Sequence, residues 1–417
     1  MWYIIAALAA ALLLFCALAL RMGHSVSEVL QLVQTGGGKA LSVAKVLVVI
    51  GVVTGVWRAA GTIVVFVCYG VQIIRPELFL LVAFALAALL SFALGTSFGV
   101  AGTVGVIFMT LARSGGVNPI ITGGVLLSGV FFGDRGSPVS STAILVSALT
   151  ETDLIGNVKR MVKTGAVPFL LCVIFYGFLS FRNPLQTVDA SVTEALGSAF
   201  RLTPWAFLPA ALLLVLPLLR VPVLVSMGLS ILAGAAVALT AQGTDVLTLL
   251  KSCVLGYHSR VPQVAAILDG GGIASMIGSC AIILLACASE AVAEGSGMLN
   301  RAERLVRAVS ERIGSFPAMI LTSLCGSAVF CNQVIAIVLS RAFFRPMYEQ
   351  QGRSKEALAI DMENCCITVP AFIPWSIICS VPLQLLGTDY RSMPYAAFLY
   401  LIPLVHWVRI ALGRNAV

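Results

Sequence analysis

Apolar runs of bilayer-crossing length recur along the whole chain, at about residues 2–20, 43–60, 164–181, 204–219, 222–240 and 271–294, with polar stretches between them. Four more apolar stretches are interrupted. Residues 76–112 hold two half-lengths around Gly95-Thr96-Ser97-Phe98-Gly99-Val100-Ala101-Gly102-Thr103, and residues 315–345 hold two around Cys325-Gly326-Ser327-Ala328-Val329-Phe330-Cys331-Asn332-Gln333. Each half is short for a crossing, which predicts two re-entrant hairpins with polar tips. Residues 120–149 contain Phe131-Phe132-Gly133-Asp134-Arg135-Gly136-Ser137-Pro138-Val139-Ser140-Ser141-Thr142, and residues 358–383 contain Asp361, Glu363, Asn364, Thr368, Pro370 and Pro374. Gly136 with Pro138, and Pro370 with Pro374, predict a helix break in each. Backbone groups freed there cost several kcal/mol each in hydrocarbon unless they line a wet pocket or are buried in protein.

The order of span, short arm, hairpin and broken span occurs twice. The arms are residues 62–75 and 298–313, the second placing Arg301, Arg304, Arg307 and Arg312 at helical spacing against Leu299, Leu305, Val306 and Val309. Gly95 to Ser137 and Gly326 to Pro370 are near-equal spacings, the mark of an internal repeat. The expected organisation is an extra N-terminal helix and loop over 1–42, with Gly36-Gly37-Gly38 in the loop, then a first repeat over 43–181. A connector with scaffold helices follows over 182–270, its segment 241–270 read as a loop with a short interfacial helix, and a second repeat occupies 271–417. Threading the chain through these spans places 16 Lys and Arg on one face, among them Lys159, Arg160, Lys163, Arg345, Arg353 and Lys355, against 8 on the other, among them Arg58, Arg113, Arg182 and Arg391. The first face is therefore cytoplasmic. That puts the N-terminus outside and the C-terminus inside, and opens the two hairpins to opposite sides. The expected fold is all-α and polytopic, built on inverted repeats with two re-entrant hairpins and two broken transmembrane helices.

Composition agrees: 59% hydrophobic, 11% charged and a mean hydropathy of +1.02 set the chain apart from soluble domains. Its net charge of +8 resides mainly in short loops, where topology accounts for it better than nucleic acid does. Most of the 11 cysteines, such as Cys16, Cys68, Cys172, Cys280 and Cys287, fall in apolar runs and act as small hydrophobes. With 3 histidines and no Cys-x-x-Cys or His-Glu-x-x-His, a metalloenzyme site is not expected. An intramembrane enzyme built on Ser140 or Cys366 would need a histidine base, and His24, His258 and His406 fall in loops or near span ends. A channel would need a continuous polar pore, whereas the polar residues here concentrate at repeat-related depths.

Trp57-Arg58-Ala59-Ala60-Gly61-Thr62, Gly95-Thr96-Ser97 with Ala101-Gly102-Thr103, Phe132-Gly133-Asp134-Arg135-Gly136-Ser137-Pro138-Val139-Ser140, Gly270-Gly271-Gly272, Arg345-Pro346-Met347-Tyr348 and Ile373-Pro374-Trp375 resemble the NhaC family of sodium/proton antiporters, from about residue 40 to the C-terminus. The resemblance implies a bacterial inner-membrane protein, a homodimer through scaffold helices, and exchange of sodium for protons, with organic acids such as malate and lactate as partners of some members. The chain departs from the family pattern at acidic positions. Ser141, Thr142, Ala143 and Ile144 stand where an acid, two threonines and an asparagine are expected, Asn332-Gln333 where Asp-Gln is expected, and Glu363-Asn364 where Glu-Asp is expected; Ser376 follows the Trp.

From these residues we expect alternating access around a midplane site. Sodium is expected on backbone carbonyls and on Asp134, Ser137, Thr142 and Asn332, with Thr96, Ser97, Ser140, Ser141, Ser327, Gln333 and Thr368 completing the ion or substrate site. Hard oxygen ligands of this kind suffice for sodium. Proton coupling needs a titratable group, which points to Asp134 and Glu363, with Asp361 and Glu294 behind them. Arg135, close to a helix break, is the candidate contact for an anion. The rival expectation is sodium- or proton-coupled transport of a small organic acid or amino acid, favoured by the lost carboxylates. No cofactor is expected beyond the sodium ion itself.

Overall fold

The computed structural model describes residues 2–186, 200–219, 221–259, 265, 268–298 and 302–413. Residues 187–199 of the expected connector and scaffold segment 182–270, and the residues Arg220, Arg260, Arg301 and Arg414, therefore lie outside the described residues. The described chain is helical throughout; its one β-bridge joins Tyr257 to Gly270. Among the described residues four helices are long and apolar enough to cross a membrane: Pro76–Leu94, Ser97–Ser114, Leu154–Arg182 and Ile273–Gly295. Lys355–Phe372 and Ile377–Leu385 qualify together as a pair bent by 64°.

The expected loop over 21–42 is largely helix. A capping box of Ser25 and Glu28 starts a single helix, Val26–Ala59, which runs straight through the three glycines. Gly36 serves packing instead of a turn, because a Cβ there would strike the Cys287 carbonyl of the antiparallel helix Ile277–Gly295. Further along the same crossing, Gly51 and Gly55 press on Gly272 and Ser252. The first helix, Trp2–Arg21, packs against the other end of this pair through Ala19, Val29 and Val292. Trp57 fastens the pair to the scaffold helices Leu208–Leu218 and Val223–Thr240, donating through Nε1 to Ser230 Oγ at 2.9 Å, while Ser230 donates to the Pro209 carbonyl. In the segment 241–270 a short helix, Val246–Val254, is capped by Asp245.

After Ala59 the first arm is the helix Thr62–Ile73. The first hairpin then goes in along Phe79–Leu94, turns at Gly95 with φ +63°, and returns through Ser97–Val100, a π-turn at Ala101–Gly105 and Val106–Ser114. Both arms are long and apolar enough to cross a membrane, and their ends meet on one face. Leu185 N donates to the Pro76 carbonyl at 3.0 Å and Gln186 N to the Gly115 carbonyl at 2.7 Å, and the Phe79 and Phe108 rings pack 5.8 Å apart. The helix Pro119–Gly136 enters from that same face, parallel to the ingoing arm. Gly129 lies against Phe84 and Ala87, Gly133 against Ser91 and Phe92, and Ser91 Oγ donates to the Val130 carbonyl. The span breaks over Ser137–Ser140 and resumes as Ser141–Thr150.

The second half is laid out the same way from the opposite face. The arm helix Ala302–Ile313 leads to Ser315–Phe330, a left-handed residue at Cys331 with φ +59°, and Gln333–Gln350. Ser315 and Gln351 bond to each other at the base of this hairpin. Lys355–Cys365 follows, then a break holding a 3₁₀ turn at Val369–Phe372, then Ile377–Leu385. Its far end reaches the first face, where Arg113 Nη2 donates to the Gly387 carbonyl at 2.6 Å.

On the second face Glu151 joins the halves, bonding Arg345 at 2.8 Å and Lys355 at 3.0 Å. The Arg345 bond, then the Lys355 bond, bring its carboxyl from the ordinary 4.5 down to about 2. A depressed folded-state value contributes stability above pH 4.5 that disappears as pH falls toward 2. Acid melts across that window are expected to fall more steeply for the wild-type chain than for Glu151→Gln, by a small margin because the pair is exposed.

Candidate functional site

Each hairpin tip sits on the break of its own half. Gly95 packs so closely on Val139 and Ser140 that a Cβ would come within 2.7 Å of Ser140 N. Cys331 accepts the Ile377 amide at 2.9 Å and the Ser376 hydroxyl at 3.3 Å through its carbonyl. Gly95 to Ser140 and Cys331 to Ser376 are equal distances along the chain, so the structurally matched tips are Gly95 and Cys331. The expected pairing of Gly95 with Gly326 is displaced by five residues, because Gly326 lies inside a continuous helix and only the left-handed Cys331 makes the turn. At both tips the next residue caps a new helix: Thr96 accepts the Gly99 amide, and Asn332 accepts the Val334 amide at 3.0 Å.

Between these tips lies a cavity of about 500 Å³ lined by Thr96, Ser97, Asp134, Ser141, Thr142, Asn332 and Gln333, together with Cys287, Glu290, Val139, Val334 and the restart of the second broken span at Ile377 and Ile378. Both tips, the first break and the far edge of the second break thus contribute to one space. Asp134, buried at the end of its half-helix, accepts Ser97 Oγ on Oδ2 at 3.0 Å and Ser140 Oγ on Oδ1 at 2.9 Å. The hydroxyls of Ser140 and Thr142 are 2.8 Å apart, so the carboxylate is held by hydroxyls from both a tip and a break. Gln333 Nε2 donates to the Ile367 carbonyl at 2.9 Å, satisfying a backbone group released near the second break.

Glu290 is the lining residue that our sequence analysis missed. It is buried in the middle of Ile277–Gly295 and accepts Asn332 Nδ2 on Oε2 at 2.6 Å. The signal was an acid in an apolar span, the same argument that picked out Asp134. Attention went to Glu294, at the span's end, which does not line the cavity.

Other expected site residues lie behind the lining. Ser137 is buried and turns its hydroxyl oxygen to the Val139 amide, and Ser140 reaches the cavity only through Asp134 and Thr142. Ser327 and Thr368 are fully buried with hydroxyls that find no hydrogen-bond partner among the described residues. Of the expected sodium set, Asp134, Thr142 and Asn332 share the cavity and Ser137 does not line it.

Arg135 points away from the cavity. Its guanidinium donates to Asn364 Oδ1, to Thr164 Oγ1 at 2.8 Å and to the Met161 carbonyl at 3.1 Å, pinning the two broken spans to Leu154–Arg182. Gly165 makes the room, since a Cβ would stand 2.9 Å from Arg135 Nη1. This buried network leaves the anion-contact role with no place in the cavity. Glu363 is buried in the same region, and neither carboxylate oxygen has a hydrogen-bond partner among the described residues. Asp361 belongs to a separate cluster near the second face, accepting Tyr348 OH, Arg353 Nη2 at 2.8 Å and His406 Nε2 at 2.6 Å. His406, expected near a span end, is buried within Ala397–Ala411.

The model of the Na+/H+ antiporter family matches residues 3–148 and 129–413. Among curated proteins, the Na(+)/H(+) antiporter NhaC of Alkalihalophilus pseudofirmus is 27% identical over 89% of this chain and 82% of its own length. The malate-2H(+)/Na(+)-lactate antiporter of Bacillus subtilis is 25% identical over 86% and 78%. The arginine/ornithine antiporter ArcD of Halobacterium salinarum is 24% identical over 79% and 70%.

Proposed function

This chain belongs to the Na+/H+ antiporter family, and on that premise we propose that it exchanges sodium for protons by alternating access through the cavity between the two hairpin tips. The observation that carries the proposal is the lining: two carboxylates, Asp134 and Glu290, and no basic side chain. A carboxylate that holds a proton is neutral and holds sodium poorly, so sodium entry and proton departure compete for the same oxygens. The hydroxyls of Ser97, Ser141 and Thr142 supply further hard ligands without adding charge. Glu363, buried against the Arg135 network and outside the cavity lining, is a further proton-coupling candidate of the proposal.

The layout supports reading residues 43–181 and 271–417 as inverted repeats: matched tips and breaks, with hairpins entering from opposite faces. Rocking of one repeat-built unit against the scaffold would expose the cavity to each side in turn. The excess of Lys and Arg on the Glu151 face is the reason for assigning that face to the cytoplasm. A homodimer through the scaffold helices is part of the same proposal.

A second reading, exchange or symport of a small organic acid or amino acid, draws on helix N-termini at Ser141, Gln333 and Ile377 beside the cavity, which favour a carboxylate. Relatives named for malate and lactate, and for arginine and ornithine, agree with it. One experiment separates the two. In proteoliposomes holding a pH dye, addition of external sodium alone is expected to alkalinise the lumen, with N-methylglucamine giving no signal. A lumen that responds to sodium only when lactate, malate, arginine or ornithine is supplied favours the second reading.

A further inference from the structure

A second polar cavity, of about 210 Å³, lies on the face where the first hairpin enters and the second broken span ends. Two arginines line it. Arg58 closes the helix Val26–Ala59, and Arg113 sits in the last turn of Val106–Ser114. Arg58 Nη1 donates to the Thr54 carbonyl at 3.1 Å, while its buried Nε has no hydrogen-bond partner among the described residues. Arg113 stands at the open mouth and spends Nη2 on the Gly387 carbonyl.

The backbone is shaped around these two guanidiniums. Gly271, with φ +75°, would bring a Cβ to 3.0 Å from Arg58 Nη1, and Gly387, with φ +65°, would bring one to 2.7 Å from Arg113 Nη2. The lone acid in the lining is Asp269, whose carboxylate is already engaged by the Ser259 amide at 2.7 Å and by His258 at 3.3 Å. Two cations and one acid leave an excess positive charge facing a small cavity with an open mouth. The hydroxyl protons of Thr54, Thr110 and Ser275 are all donated to backbone carbonyls, so the side-chain donors left for a ligand are the two guanidiniums and the Gln384 amide, whose oxygen accepts Ser279.

We propose that this cavity binds a small organic carboxylate, its two oxygens shared between Arg58 and Arg113. A planar guanidinium fork fits a carboxylate. Val106, Met109 and Leu386 add apolar lining suited to a short carbon body, which a bare inorganic anion does not need. The site is distinct from the transport cavity. Ile378 faces that one and Leu385 this one, about 10 Å apart at the helical rise per residue. It goes beyond the sodium/proton proposal and stands without it.

The test is thermal melting of the purified full-length protein with N-methylglucamine lactate, acetate or chloride. Saturable stabilisation by lactate is expected, with a much weaker response to chloride. Arg113→Gln is expected to raise the half-saturating lactate concentration at least tenfold, about 1.4 kcal/mol, and to leave stabilisation by sodium unchanged. Arg391→Gln, an exposed residue paired with Asp389, is expected to behave as wild type. Should Arg113→Gln fail to fold, Met276→Phe, which fills the cavity from another side, is expected to abolish the lactate response. The proposal is overturned if lactate gives no saturable shift, if chloride matches it, or if the shift survives the folded substitutions. A missing sodium response with an intact lactate response would count against the transport proposal alone.

Discussion

Asp134→Asn is expected to reduce sodium-driven proton movement in proteoliposomes by roughly 10²-fold or more. The carboxylate is buried, accepts one hydroxyl on each oxygen, and faces the cavity where both tips converge. Asparagine preserves the shape and can keep one hydroxyl as a donor, so the fold should survive. What disappears is the charge that attracts sodium and the oxygen that takes the proton. Removing the carboxylate that would pair with a desolvated sodium ion costs about 3–5 kcal/mol by the measure of a broken buried ion pair, and each 1.4 kcal/mol is a factor of about ten. Melting temperature measured alongside separates loss of the site from loss of the protein. If the variant exchanges sodium for protons at the wild-type rate with unchanged pH dependence, Asp134 is not the coupling group.

Glu290→Gln is expected to act differently. Asn332 Nδ2 can still donate to the glutamine oxygen, so the tip of the second hairpin stays tied to Ile277–Gly295. One of two cavity charges is gone. If both carboxylates release a proton when sodium enters, the wild-type cycle moves two protons against one sodium and generates current. The variant retains one exchanging acid and becomes electroneutral. Capacitive current on a solid-supported membrane is therefore expected to fall to background, while the dye signal persists with apparent sodium affinity weakened about tenfold, the loss of roughly 1.4 kcal/mol of attraction. Wild-type current in Glu290→Gln would remove Glu290 from the charge balance.

The interruptions of hydrophobic pattern carried most of the architecture. Gly136 ends its helix and Pro138 and Pro370 lie within the two breaks, where one lacks a side chain and the others lack an amide proton, although Pro168, Pro346, Pro382 and Pro403 are held inside helices. Intramembrane acids are rare enough that Asp134 stood out. Glycines proved ambiguous. The sequence pattern reads Gly36 as a loop residue, yet it lies in a helix and makes room for the Cys287 carbonyl, a contact more than 200 residues away along the chain that no local pattern can announce. The same ambiguity misplaced the second tip at Gly326, when the left-handed turn is made by a cysteine. Arg135 looked like a substrate contact because of its position, but which way a guanidinium points is decided by acceptors from distant spans, here Asn364, Thr164 and Met161. Glu290 carries the same signal as Asp134, an acid within an apolar span, but its partner Asn332, at the tip of the second hairpin, is not legible from local sequence.

Ser97, Thr142 and Asn332 were found because tips and breaks must present polar groups to something other than lipid. Ser327, Thr368 and Glu363 meet the same compositional test, but pack behind the cavity in a buried layer. Sequence position distinguishes a break from a helix; it does not distinguish the wet side of a break from its packed side.

The central claim is that one cavity, framed by oppositely inserted hairpins, is reached from each side of the membrane in turn. A cysteine at Val139, an exposed lining residue at the first break, tests it in a background lacking the native cysteines. Labelling by a membrane-impermeant maleimide is expected from either face of sealed vesicles, with sodium and pH shifting which face reacts faster. Reaction from one face alone under every combination of sodium and pH would contradict alternating access.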